Sequence, residues 1–294
     1  MKVLGFGDNI VDRFVDRGIA YPGGNSVNFA VFARQLGVDA SYLGVFGSDA
    51  AGTFLRDAVS DQGVDISRSV VREGPSGVST LTVVDGDRVF GGWNGGGVTV
   101  GQPLELDAEL LSYAASFDLV HTSVYSATES ELPALRETSA LVSIDLSSED
   151  EFRSPEYLDR VAPFADLVLL SCSHLTLRQT RAVLADAVDR GAGLAVGTRG
   201  IRGAIVFDGR DHVTAPAQPV DDPSTIVDTM GCGDAFVTAF AVSLLTSGWT
   251  RSRRPWVGAL DTALRDGAGF AARQCLVEGA FGHGVDAGIV PATM

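Results

Sequence analysis

Residues 228–236 read Asp-Thr-Met-Gly-Cys-Gly-Asp-Ala-Phe and run without a break into an apolar segment over 235–245. Gly231 and Gly233 stand beside the start of a helix, where backbone N–H groups have no intrahelical acceptor and can point at an anion. The positive end of the helix dipole favours that anion further. Asp234 occupies the same place, where an aspartate either caps the helix or faces a bound group.

Outward from this turn the chain alternates strand and helix. A first strand is expected over 3–6, ending at a polar Asp8-Asn9 tip. Val27, Ala30, Val31 and Leu36 suit a helix that begins at Ser26 and stops at Gly37. A strand follows over 40–46 and a helix over 51–61, ended by Gly63. Short apolar strands over 141–144, 167–170 and 194–196 alternate with helical stretches near 107–115, 155–162 and 175–190. That pattern predicts an α/β fold with a doubly wound, mainly parallel sheet and ligands at the carboxyl ends of the strands. The stretch 77–93 differs: Val78, Thr80, Thr82 and Val84 alternate, residues 85–87 form a turn, and Val89-Phe90 resumes a strand. It reads as a β-hairpin, and with residues 14–19 it would build a small sheet over the site. With no repeat or linker, the expectation is one domain over 1–294 with a small β lid, about 12–22 and 77–93.

Composition narrows the chemistry. Glycine takes 35 of 294 positions, well above a usual share of roughly 7 %, as many tight turns or close backbone–ligand approaches would require. A formal net charge of -15 argues against nucleic acid as partner, though not against a nucleotide held by backbone amides. Nothing at the N-terminus resembles a signal peptide and no apolar stretch is long enough to span a bilayer, so no membrane partner and a cytoplasmic location are expected. The three cysteines, Cys172, Cys232 and Cys275, are far apart and form no CxxC pair, which indicates neither a disulfide framework nor a zinc site. Lys2 is the only lysine, which removes the Walker A lysine, the protein-kinase ATP lysine and any Schiff-base lysine.

Three further segments carry polar groups at strand ends. Gly7-Asp8-Asn9 with Asp12 can accept hydrogen bonds from sugar hydroxyls; the plain alternative is a solvated loop. In Tyr21-Pro22-Gly23-Gly24-Asn25-Ser26-Val27-Asn28, the glycines permit close approach and the two asparagines share one side of the first helical turn. There the alternative makes Asn25 an N-cap and ties Asn28 to a neighbouring loop. Thr198-Arg199-Gly200-Ile201-Arg202-Gly203 suits nucleotide phosphates, or else is a glycine hairpin with solvated arginines.

Together these segments resemble the PfkB (ribokinase-like) family of carbohydrate kinases across the whole chain. The Gly23-Gly24-Asn25 segment is similar to the family's first signature, and residues 228–236 to its second, usually written DTxGAGD, with Cys232 in place of the common alanine. GDNIVD at 7–12, GGNSVNFAV at 23–31, SYLGVFGSD at 41–49 and DRVFG at 87–91 resemble fructoselysine 6-kinase-like members more closely. The resemblance implies an ATP-dependent sugar kinase in which Asp234 is the catalytic base and Gly231, Cys232 and Gly233 form the anion hole. It implies that Asp8, Asp12, Gly24, Asn25 and Asn28 bind the sugar, and that Thr198, Gly200 and Gly203 lie along the ATP phosphates. Asp228 and the Met230 carbonyl match positions that hold a monovalent cation such as K⁺ in some relatives. Arg88, in the lid hairpin, is a candidate for the acceptor's anionic or polar tail.

One segment departs from the family. Many relatives organise Mg²⁺ through an N-x-x-E segment, where this chain reads Ser171-Cys172-Ser173-His174-Leu175 with no carboxylate. The metal would then be held mostly by ATP and water. Two other readings stay open: a kinase of the same fold for fructose, ribose or a nucleoside, and a catalytically weak protein that senses sugar or nucleotide. Relatives often dimerise through their lid sheets, and an exposed edge over 78–84 would allow a homodimer here.

Overall fold

Successive apolar side chains of the predicted strands go to opposite sides of one sheet, and this explains their uninterrupted apolar character. The computed structural model describes residues 1–84 and 87–290, with the backbone alone for 83, 84 and 87–90. The chain opens with β1 (Lys2–Gly7), β2 (Ile10–Phe14), β3 (Ile19–Gly23), α1 (Asn25–Gln35), β4 (Asp39–Gly47) and α2 (Ala50–Asp61). Then come β5 (Val70–Arg72), β6 (Val78–Val84), β7 (Asp87–Trp93), α3 (Gly97–Gly101), α4 (Ala108–Ala114), β8 (Leu119–Ser123) and α5 (Leu132–Arg136). The second half holds β9 (Leu141–Asp145), α6 (Pro155–Val161), β10 (Leu167–Ser171), α7 (Leu177–Asp189), β11 (Leu194–Thr198), β12 (Ala204–Phe207) and β13 (His212–Ala215). It closes with α8 (Cys232–Thr246), α9 (Val257–Gln274) and β14 (Val285–Asp286).

Among the described residues nine strands form the main sheet, in the order β13-β12-β11-β10-β9-β8-β1-β4-β5. All pair in parallel except β12 and β13 at one edge. Val3, Leu167, Leu169, Leu194 and Val196 face a core shared with α1, α8 and α9. Leu4, Phe6, Val168, Leu170 and Ala195 face the opposite core, with Leu135, Leu158 and Leu184 of α5, α6 and α7. Burial on both faces is what a doubly wound sheet requires. The strand order runs one way from β1 to β4 and the other way from β1 to β8, so a crevice opens beyond the carboxyl ends of β1 and β8.

Five further strands form a small sheet, ordered β14-β3-β2-β6-β7. It includes the expected hairpin, but residues 15–18 are a turn between β2 and β3 instead of a strand. The stretch beyond Gly282, for which the sequence predicts nothing, supplies β14 by pairing Val285 with Ala20. The 78–84 strand is not an edge: β6 lies between β2 and β7, each of which bonds to it. The outer strands of this sheet are instead β7 and β14. The sequence also assigns nothing to 257–274, which is the 18-residue helix α9. Its buried face sets the small residues Ala259, Ala263 and Gly267 beside Leu260, Leu264 and Phe270. The small residues suit close packing, since a Cβ on Gly267 would stand 2.9 Å from the Phe236 carbonyl oxygen on α8.

Candidate active site

The crevice is a cavity of about 370 Å³ between the two sheets. From the main sheet and its helices come Asp8, Asn9, Asn25, Asn28, Gly231 and Asp234; from the small sheet come Asp12, Ser79 and Trp93. Gly24 is the hinge that lets α1 start there. It adopts φ 111°, and a Cβ would stand 2.7 Å from the Asn9 Cα and 2.8 Å from the Asp8 carbonyl oxygen. Gly24, not Asn25, is the N-cap, and no side chain caps that end. The cap comes instead from across the sheet. Asp8 accepts from the amide of Asn25 at 2.5 Å and that of Ser26 at 3.2 Å, at the positive end of α1. The hydroxyls of Ser26, Ser123 and Ser126 donate to the same Asp8 oxygen, Oδ1, at 2.8–2.9 Å. Asp8 thus ties the ends of β1 and β8 to α1, and only Oδ2, with a single bond from Asn25, has capacity left for a ligand.

The asparagines are freed from capping by that arrangement. Asn28 Nδ2 donates to Asp234 Oδ2 at 2.7 Å, and Asn25 Nδ2 donates to Asp145 Oδ2 at 2.9 Å. Asn9 Nδ2 is held by the Tyr42 hydroxyl and the Val45 carbonyl. The Oδ1 atoms of Asn9 and Asn28 are buried with no protein partner, although both residues line the cavity. Buried acceptors in that state await a donor, and a ligand hydroxyl can supply one. Asp12 accepts from the Ser79 hydroxyl at 2.5 Å, which joins β2 to β6 under the cavity.

Helix α8 begins at Cys232, three residues earlier than the apolar run suggested, with Gly231 as a left-handed N-cap at φ 69°. Asp234 therefore lies inside the first turn and makes no capping bond; its carboxylate turns to Asn28. The amide of Cys232 makes a 3.4 Å bond back to the Thr229 carbonyl. The amides of Gly233 and Asp234 are then the ones helix geometry leaves facing outward. Asp228 organises the turn from behind, accepting from the Met230 amide at 3.0 Å and the Gly279 amide at 3.2 Å.

Asp234 is held well above the usual carboxylate range, first by burial and then by the negative charge of Asp145. Asp145 itself is pushed up to about 7 by burial, against the hydrogen bonds from Ser147 and Asn25. It sits behind the cavity floor at the end of β9, and the sequence reading passed over it although a carboxylate at the carboxyl end of a parallel strand is a recognisable signal. Tyr125 and Glu149 were also missed, because their place at the cavity depends on the loops after two separate strands, β8 and β9.

Thr198, Gly200 and Gly203 do not line this cavity. They form the turn from β11 to β12, where Arg199 N bonds the Gly203 carbonyl at 2.8 Å. Gly203 is required by packing, since a Cβ there would fall 2.1 Å from the Ala215 carbonyl oxygen. The backbone of Arg88 pairs with Val83 in the β6–β7 hairpin, and its side chain lies outside the described residues. Among the described residues no group of three or more His, Cys, Asp or Glu is arranged to hold a metal ion. Among them, too, no helix is long and apolar enough to cross a membrane.

A second cavity of about 290 Å³ adjoins the first and shares Trp93, Val100, Tyr125 and Glu149 with it. Its other walls include Phe152, Glu129 and Glu151, and none of the described residues that line it is basic. Burial works against the Glu149 charge, but bonds from the Tyr125 hydroxyl, Ser147 and the Ser148 amide hold its carboxyl below the usual range.

The sequence pattern described as pfkB family carbohydrate kinase matches residues 15–282. The chain is 34% identical to fructosamine kinase FrlD of Bacillus subtilis, covering 97% of this chain and 94% of that one. It is 31% identical to fructoselysine 6-kinase of Escherichia coli, covering 96% and 100%. Among solved structures, the Arabidopsis thaliana ribokinase complexed with ribose and ATP superposes with a TM-score of 0.76 at 20% identity, covering 98% and 96%. The Salmonella enterica aminoimidazole riboside kinase, complexed with its riboside and an ATP analogue, has a TM-score of 0.72 at 23% identity, covering 95% of each chain. These two likenesses establish the shared fold.

Proposed function

This chain belongs to the pfkB family of carbohydrate kinases, and from there we propose that it transfers the γ-phosphoryl group of ATP to a primary hydroxyl of a fructosamine. The observation that carries the transfer is Asp234: a buried carboxylate on the first turn of α8, oriented by Asn28, at the wall of a sugar-sized cavity. As the acceptor oxygen bonds to phosphorus in line and the bond to the ADP oxygen breaks, Asp234 takes the hydroxyl proton. Of the amides expected around Gly231, Cys232 and Gly233, that of Cys232 is turned back to Thr229, so those of Gly233 and Asp234 stabilise the charge spread over the transferring group. Asp8, Asp12, Gly24, Asn25 and Asn28 bind the sugar, with the unpartnered Oδ1 of Asn28 accepting from a hydroxyl. Thr198, Gly200 and Gly203 run along the nucleotide phosphates at the carboxyl end of β11. Mg²⁺ travels with the ATP phosphates and water, and Asp228 with the Met230 carbonyl is the position for K⁺.

The acceptor class rests on the adjoining cavity. A fructosamine carries a protonatable amine one carbon from its sugar ring, and carboxylates set among aromatic faces favour a cation over a neutral hydroxyl. Glu149, Trp93 and Tyr125 stand where the two cavities join. Fructose and ribose have no cation to put there.

The test is ADP release with Mg-ATP and a panel of fructoselysine, other fructosamines, fructose, ribose and nucleosides. Fructosamines should give the highest kcat/KM, and Glu149→Gln should raise their KM about tenfold or more while leaving fructose nearly unchanged. Better turnover of fructose or a nucleoside would discard the acceptor class and keep the kinase; silence across the panel would favour a sensing protein.

A further inference from the structure

Two of the cysteines that the sequence scatters meet at the phosphoryl end of the site. Cys232 is the first residue of α8, and Cys275 is the C-cap of α9. Their Sγ atoms lie 3.2 Å apart, and both residues are half-buried. Both thiols also reach the Ala271 carbonyl, at 3.6 and 3.4 Å. The carbonyl of Cys275 accepts from the amides of Val227 at 2.9 Å and Asp228 at 3.3 Å. The same residue therefore braces the 228–234 turn from behind. A disulfide holds its sulfurs at about 2.05 Å, so roughly 1.2 Å of approach separates this pair from a covalent bond.

We propose that Cys232 and Cys275 are an oxidation site, a dithiol that a low-molecular-weight disulfide of the glutathione type converts into an internal disulfide that suppresses phosphoryl transfer. One cysteine thiolate attacks the small disulfide, forming a mixed disulfide and releasing one small thiolate. The second cysteine thiolate then attacks the protein sulfur of that mixed disulfide, forming the Cys232–Cys275 bond and expelling the second small thiolate. Two protein thiols lose two protons and two electrons, and the small disulfide gains both as two thiols. Closing the gap draws Cys232, which stands between Gly231 and Gly233, toward α9. A displacement of about 1 Å at a phosphoryl site can cost about a hundredfold in rate. The suppression rests on α8 being the phosphoryl-binding end, as proposed above; formation of the disulfide does not. Cys172 serves as an internal control. It is fully buried in the other core, and burial pushes its thiol up to about 11.

The experiment equilibrates the reduced full chain with glutathione and glutathione disulfide at graded ratios and reads intact mass, peptide maps, ATP affinity and phosphoryl transfer on the same samples. The expected result is a loss of about 2 Da, one Cys232–Cys275 cross-linked peptide, and transfer reduced at least tenfold with weaker ATP binding. Dithiothreitol should reverse all of these. Cys275→Ser, checked for folding by its melting curve and backed by Cys275→Ala, should keep its own reduced-state rate and ATP affinity under the same oxidant. A stable glutathione adduct without ring closure, a bridge through Cys172, or a disulfide that alters neither ATP affinity nor rate would overturn the proposal. Should no acceptor be turned over, mass and ATP affinity still decide it, and that separate failure belongs to the kinase reading.

Discussion

Asp234 is where sequence and geometry meet most closely. Its motif marks it as a helix-start aspartate, but whether it caps or reacts depends on Asn28, 206 positions away in the chain, whose amide turns the carboxylate from the helix end to the cavity. Asp234→Asn should lower kcat by about 10² to 10⁴ while leaving ATP affinity within a few-fold, as single-turnover and calorimetric measurements would show. A variant with near wild-type turnover would falsify the assignment. Burial first, and then the negative charge of Asp145, raise Asp234, so kcat/KM should fall on the acid side from a pH well above the ordinary carboxylate range. Asp145→Asn removes that charge and should move the acid limb to lower pH. Stability has the opposite sign. A carboxyl near 7 when folded binds its proton more tightly than the unfolded chain does, so this contribution is largest at low pH and is lost as pH rises toward 7. The span from 3.8 to about 7 is worth roughly 4 kcal/mol at most, and Asp145→Asn should flatten the dependence of unfolding free energy on pH between about 4 and 7.

At the scale of elements, β1, β4, β9, β10 and β11 were readable because each is an apolar run buried on both faces, whereas β5, β8, β12 and β13 were passed over. Several helices were readable because their ends are marked: Asp49 caps α2, Asp107 caps α4, and Thr176 with Gln179 makes a capping box for α7. Helix α9 was passed over although Leu260, Leu264 and Phe270 recur at helical spacing on its buried face, because Ala and Gly between them dilute the pattern. The start of α1 depends on Gly24 for a positive φ and on Asp8 for its cap. Gly24→Ala puts a side chain at φ 111° and 2.7 Å from the Asn9 Cα. It should cost about 2 kcal/mol or more of stability in urea unfolding, with a raised KM for the acceptor sugar. An unchanged unfolding midpoint would show that α1 can start without this turn.

For the whole molecule, the small sheet supplies one wall of the cavity through Asp12, Ser79 and Trp93 and the main sheet supplies the other. Closure of the small sheet over a bound sugar should exclude water, so ATP hydrolysis without acceptor should run more than about tenfold below the coupled rate, measured as ADP release with and without sugar. An equal rate would remove the lid role. Fold class, the parallel sheet, the glycine turn at the start of α8 and much of the polar lining of the cavity could be read from the linear chain. They rest on local rules: burial alternates along a strand, glycine permits a turn, and a helix start leaves amides outward. The chain order alone gave no hint of the Asn28–Asp234 bond, of Asp145 behind the floor, of the acidic annex beside the cavity, or of Cys232 against Cys275. Each joins residues distant in sequence, and their distances follow from how sheet order and helix packing bring remote ends together in space.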